Sequence, residues 1–147
     1  MNTNLEQLYQ NTILEHNKNP RNFQKLAEFT HSSQGKNPLC GDDYTIYLKI
    51  NNNIIEDVGF VGQGCAISKS SASILTTYLK GKTIKEAFQL KEKFIELVTK
   101  ESCQDCSKCL GKLQVFEGVK KYPIRIKCAT LIWHALEEAI NKGEKND

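Results

Sequence analysis

Two alternating runs joined by three asparagines constrain this chain more than any other feature. Tyr44, Ile46, Leu48 and Ile50 fall on one face, with Thr45, Tyr47 and Lys49 on the other, which is the period of a half-buried strand. Asn51-Asn52-Asn53 follows, and asparagine tolerates the left-handed backbone that closes hairpins. Ile54 to Val61 then returns as the partner strand, until Gly62-Gln63-Gly64 interrupts it. An antiparallel hairpin brings its two outer ends together. Those ends carry Cys40, just before the first strand, and Cys65, just after the second, with Asp42 beside Cys40 on the same rim.

Helical patterns surround the hairpin. Thr3-Asn4-Leu5-Glu6 has the form of a capping box, followed by Leu8, Tyr9 and Ile13 at helical spacing, and the pattern should stop before Pro20. Residues 20–39 read as mostly irregular, with one strand expected around Leu26 to His31. From Cys65, the positions Ile67, Ser71, Ile74, Leu75, Tyr78 and Leu79 share one helical face, ended by Gly81. Ser68, Ser70 and Ser73 are small enough to let another segment approach, or else form an exposed serine face. Thr83-Ile84-Lys85-Glu86 is a second capping box, opening a helix to about Val98. A last helix is expected from about Ile126 to Ile140, burying Ala129, Ile132, Trp133, Leu136 and Ala139. Strands early and helices later predict an α+β class, a small antiparallel β-sheet packed against helices. A length of 147 residues suits one domain, 1–147, with a Cys-rich insertion near 99–121.

A net charge of +3 is too small to argue for nucleic acid, and no apolar run is long enough for a membrane span. Met1-Asn2-Thr3-Asn4 lacks the basic-then-apolar order of a signal peptide, so a cytoplasmic location is expected. In that reducing compartment six cysteines point to metal binding or thiol chemistry rather than disulfides. Any single cysteine could be a small buried hydrophobe, but three of the six crowd one polar stretch.

Cys128 stands near the expected start of the last helix, as Cys65 does at the start of its own, and a helix N-terminus favours the thiolate. Cys40, Asp42, Cys65 and Cys128 thus form a candidate set of three sulfurs and one oxygen. Such a set suits tetrahedral Zn2+ and would also tolerate an iron–sulfur cluster. A carboxylate in place of a fourth thiolate would let a coordination position open without loss of the ion.

The segments ILEHNKNPRN at 13–22, NPLCGDDY at 37–44, GFVGQGCAISKSSASILT at 59–76 and YPIRIKCATLIWHALE at 122–137 carry a resemblance to a known family. The chain resembles the U-type iron–sulfur assembly proteins of the IscU/NifU N-terminal fold, and within them the SufU type. The resemblance implies a metal site on Cys40, Asp42, Cys65 and Cys128, the same four residues. Scaffold-type IscU proteins usually place a histidine before the third cysteine, where this chain has Lys127, and the stretch from Gly81 to Cys128 is long, as in SufU. The resemblance therefore implies a zinc-dependent sulfur acceptor, a sulfurtransferase-like persulfide carrier. It would take sulfur from a SufS-type cysteine desulfurase and pass it to a downstream iron–sulfur scaffold. The alternative is an IscU-type scaffold on which a [2Fe-2S] cluster is assembled. Cys40, in a loop, is the expected persulfide acceptor, released when a desulfurase histidine replaces it on the metal.

Arg125, three residues before Cys128, is either an auxiliary charge partner for Asp42 or the persulfide, or a solvated arginine. Cys103, Cys106 and Cys109 form a CxxCxxC run that the SufU pattern does not require. A second metal site, a redox-sensitive loop, a sulfur relay and a reactive surface loop all stay open for it. His16, His31 and His134 are isolated and read as structural or solvated.

Overall fold

The computed structural model describes residues 3–100 and 109–142, with side chains from residue 6 onward. In chain order the elements are α1 (Thr3–Lys18), β1 (His31–Asn37), β2 (Asp42–Asn51), β3 (Ile54–Gln63), α2 (Ala66–Leu79) and α3 (Ile84–Thr99). A 3₁₀ segment (Gly111–Lys121) and the final helix, here α4 (Pro123–Lys142), complete it. The predicted α+β class holds: the sheet is three-stranded and antiparallel in the order β1-β2-β3. The capping box read over Thr3–Glu6 involves side chains outside the described ones.

The hairpin forms as its pattern requires. Asn51 pairs with Ile54, and the two residues between them, Asn52 and Asn53, have φ of 54° and 64°. Two left-handed residues make the turn whose twist matches that of the flanking strands. Along β2 burial alternates without a break from Asp42 to Ile50, so Asp42 shares the buried face with Tyr44, Ile46, Leu48 and Ile50. An acid on the core face of a strand needs partners there, and Asp42 has them in the Cys40 thiol and the Cys65 backbone N–H.

Two expectations shift. The first strand lies at His31–Asn37, touching the predicted Leu26–His31 only at its end. HSSQGKN has no apolar alternation; it is a strand because it pairs with β2 from His31↔Leu48 to Asn37↔Asp42 and packs on α4. There Gly35 abuts Leu131 and Ala135, and Ser33 Oγ–H donates to Glu138 Oε1 at 2.7 Å. The last helix starts at Pro123 rather than near Ile126, since proline is well suited to a first helical turn. Cys128 consequently sits in the second turn, not at the helix start.

The core joins the buried face of the sheet to α2, α3, α4 and the 3₁₀ segment. Trp133 stacks on Phe94 with ring centroids 4.7 Å apart, and its indole N–H reaches Ser71 Oγ at 3.3 Å. The small face of α2 is buried rather than exposed: Ser68, Ser70, Ser71 and Ser73 are all inaccessible. Ser73 Oγ receives the Arg21 N–H at 2.8 Å and lies 2.7 Å from His16 Nδ1, which ties the α1 end to α2. His16 is therefore structural. Its burial, with Arg21 and Lys112 nearby, lowers its pKa to about 4, so it is neutral at physiological pH. The Thr83–Glu86 capping box forms in full.

Candidate metal centre

Three segments converge at one edge of the sheet. The β1–β2 connection brings Cys40, whose N–H donates to Asn37 O at 3.2 Å, and then turns through Gly41 at φ +73°, a left-handed conformation that favours glycine. Asp42 opens β2, pointing inward. Its Oδ2 accepts the Cys40 thiol at 3.2 Å, and its Oδ1 accepts the Cys65 backbone N–H at 3.0 Å. One carboxylate thus ties the two hairpin ends together. Cys65 is the N-cap of α2, with its Sγ accepting the Ser68 N–H at 3.4 Å. Cys128 comes from α4, and its Sγ lies 3.3 Å from that of Cys40.

Ligand atoms of Cys40, Asp42 and Cys128 all lie within 4.8 Å of one another. Cys65 stands beside this trio rather than inside it: its thiol caps α2 but bears on Cys128. A tetrahedral zinc with Zn–S bonds of about 2.3 Å places neighbouring sulfurs about 3.8 Å apart. The 3.2–3.3 Å contacts of the trio need open only by a few tenths of an ångström to match. The donor set fits a thiophilic dication.

Electrostatics explain why these residues would want one. Burial pushes the Cys40 thiol above its ordinary pKa. Burial, then the side chains of Cys40, Asp42 and Cys65, push Cys128 up much further. This reverses the expectation of a helix-start thiolate at Cys128, because the residue lies a turn inside α4 among other acids. Without a cation both thiols stay protonated at neutral pH, and a dication would offset the burial and repulsion that their thiolates would otherwise meet.

Cys40, Cys65 and Cys128 line one cleft of about 660 Å³, together with Tyr9, Ile13, Ile67, Val119 and Ile124. Cys40 and Cys65 are half-buried at this largely apolar cleft, and Cys128 is buried at its base. Leu39, beside Cys40, is 79 % exposed and Ile124 is 62 % exposed. Arg125 also borders the cleft, with its guanidinium 4.5 Å from the centre of the Tyr122 ring. Lys127 is exposed. Cys103 and Cys106 lie outside the described residues, and Cys109 is exposed. His31 is buried with Nδ1 2.6 Å from Thr30 Oγ1, and His134 is exposed on α4, so neither joins the centre.

Three residues of the centre, Tyr44, Gly64 and Ser68, are not among the predicted site residues, although they lie within the segments that carry the family resemblance. Tyr44 is buried and its hydroxyl lies 3.3 Å from Ser68 Oγ; burial, foremost, raises its pKa to about 12. Gly64 leaves no room for a side chain, since a Cβ there would press on Asp42 Oδ1 and come within 2.6 Å of Ser68 Oγ. The available signals were the period of β2, which puts Tyr44 on the face of Asp42, and the three-residue step from Cys65 to Ser68.

A thiol–carboxylate cluster at the tip of a short antiparallel sheet, framed by helices, marks a small α+β domain with a candidate metal centre. The chain belongs to the family of the NifU-like N terminal domain, whose model matches residues 8–142. It is 41% identical over 143 residues to the zinc-dependent sulfurtransferase SufU of Bacillus subtilis, covering 97% of this chain and 96% of that one. It is 38% identical over 139 residues to the iron–sulfur cluster assembly scaffold protein IscU of Streptococcus pyogenes, covering 95% and 86%. A crystal structure of a candidate iron–sulfur cluster assembly scaffold protein for the SUF system from Fervidobacterium islandicum superposes with a TM-score of 0.84. It is 32% identical, with coverage of 92% of this chain and 98% of that one. No helix among the described residues is long and apolar enough to cross a membrane.

Proposed function

We propose that this chain is a zinc-dependent sulfur acceptor of iron–sulfur cluster assembly, working in the cytoplasm with a SufS-type cysteine desulfurase and passing sulfur to a downstream scaffold. The observation that carries the reading is the gathering of Cys40, Asp42 and Cys128 within one ligand sphere, with Cys40 on a loop at an open cleft. Cys40, Asp42, Cys65 and Cys128 would hold the zinc. When bound, the ion supplies the charge that keeps thiols deprotonated at neutral pH.

Cys40 is the residue that moves. It lies between strands, so its excursion breaks no ladder or helix hydrogen bond. Its sulfur attacks the outer, sulfane sulfur of the partner's cysteine persulfide. A new S–S bond forms on Cys40, the donor's S–S bond breaks, and the electron pair leaves with the donor cysteine as thiolate. Cys40 ends as a persulfide, emptied later by another thiol. The Oδ1 to N–H bond between Asp42 and Cys65 supports their staying together, and Arg125, which borders the cleft, would be the auxiliary charge that meets the anionic persulfide.

Purification without added iron, followed by metal and sulfide analysis, separates this reading from a [2Fe-2S] scaffold on the same ligands. One zinc per chain and no labile sulfide is expected; a brown product bearing iron and sulfide would favour the scaffold. Sulfur transfer from a persulfide-loaded desulfurase should then reach wild type but not Cys40→Ala, with zinc partly retained. A Cys40→Ala variant that accepts sulfur normally would assign the acceptor elsewhere.

A further inference from the structure

Two buried hydroxyls adjoin the cluster without belonging to it. Ser68 Oγ lies 3.3 Å from Tyr44 Oη, 3.1 Å from the Cys65 carbonyl oxygen and 3.6 Å from Cys65 Sγ. A hydroxyl has one proton to give and two positions at which to accept. While Cys65 is a thiol, its S–H can donate to Ser68 Oγ, and Ser68 gives its proton to Tyr44 Oη or to the carbonyl. A thiolate has no proton and only accepts. Were Cys65 to ligate a cation, the Ser68 O–H would turn to Sγ and the Tyr44 O–H would donate into the acceptor site on Ser68. Cys65 Sγ, already bonded to the Ser68 N–H, would then accept twice from residue 68.

Cys40 has no hydroxyl of this kind. Among the described residues its thiol bonds to the side chains of Asp42 and Cys128, themselves members of the cluster, and to the Asp42 backbone, which matches the Ser68 N–H on Cys65; the hydroxyl pair is what the two sulfurs do not share. Hydrogen bonds to a ligand from outside the coordination sphere orient it and strengthen its hold on the metal. We infer that Tyr44 and Ser68 act in series as positioning residues that make Cys65 the sulfur that stays, and so leave Cys40 as the one free to depart. Gly64 keeps the pair in place: a Cβ there would sit 2.6 Å from Ser68 Oγ and 2.8 Å from Tyr44 Oη. This inference rests on the zinc reading above and adds to it which residues decide the division of labour among the sulfurs.

The test compares wild type with Tyr44→Phe, Ser68→Ala, the double variant and Ser70→Ala. Ser70 is the control, a buried serine whose hydroxyl bonds only Ala66 O and Ile67 O of its own region. Zinc is counted first, then its release to a chelator is timed. The thiolate-to-cobalt charge-transfer band is recorded on cobalt-substituted protein. Tyr44→Phe and Ser68→Ala should each release zinc about tenfold faster and shift the band, on the scale of lost outer-sphere partners. The double variant should be no worse than Ser68→Ala, because the two act in series. Ser70→Ala should match wild type. Unchanged release in both single variants, or equal acceleration in Ser70→Ala, would overturn the inference while leaving the zinc site standing. A wild type that takes up no zinc would instead overturn the zinc reading beneath it. If Ser68→Ala does not fold, Tyr44→Phe decides, since it removes one oxygen and keeps the ring against Phe60.

Discussion

Asp42 shows how one side chain joins fold to chemistry. Its carboxylate bonds both hairpin ends, and burial without those bonds would cost several kcal/mol. Gly64→Ala places a methyl against that carboxylate, so zinc content should fall together with a stability loss of about 1–3 kcal/mol. Full zinc occupancy in Gly64→Ala would show that the site can give way there. His16 sets a separate pH dependence. Its folded pKa of about 4 lies below the ordinary 6.5, so between those values the unfolded chain binds more protons than the folded one. Its contribution is thus fully present above the ordinary value and is lost as pH falls toward 4. Stability should drop by up to about 1 kcal/mol per pH unit across that window. Urea midpoints of wild type and His16→Gln should therefore converge on acidification; parallel declines would exonerate His16.

At the scale of elements, the hairpin was legible because period two and an asparagine turn leave few alternatives. Asn52 and Asn53 both adopt left-handed backbone, in which a residue with an ordinary Cβ is strained by about 1–2 kcal/mol. Asn52→Ala and Asn53→Ala should each lower stability by about 1 kcal/mol and leave zinc content unchanged, because the turn lies at the end of the ribbon opposite Cys40 and Cys65. Thermal melts with metal analysis check both halves of that expectation. Strand β1 was misplaced because nothing in HSSQGKN alternates; its polar side chains find partners such as Glu138 only once α4 lies across the sheet. The helix expected from about Ile126 begins three residues earlier, at Pro123, because a first-turn proline forfeits no helical hydrogen bond.

Over the whole molecule, an ion at this centre would link the β1–β2 connection, the start of α2 and the second turn of α4. Cys40 and Cys128 are 88 residues apart in sequence, so the link would close a long loop. Chelation should lower the melting temperature, and zinc at a thousandfold excess over its Kd should restore about 4 kcal/mol. A melting temperature indifferent to zinc would argue against this bridge. Because the thiols of Cys40 and Cys128 are held protonated in the metal-free protein, zinc uptake at neutral pH should release at least two protons. Affinity should accordingly weaken as pH falls. Calorimetry in buffers of differing ionisation enthalpy reads that number directly, and a value near zero would mean the thiols are already ionised.

What the chain determines by itself is local: alternation writes the β2–β3 ribbon, asparagines its turn, Thr83 and Glu86 a helix start, and the ends of the ribbon bring Cys40, Asp42 and Cys65 to one rim. Each of these depends on a period or a spacing within a few residues. Tertiary packing alone decided the strand character of β1, the depth of Cys128 within α4, and the protonation of the thiols. It also placed the hydroxyls of Tyr44 and Ser68 beside Cys65. Those properties arise from burial and from contacts between segments far apart in sequence, and neither quantity is written in any stretch of residues read alone.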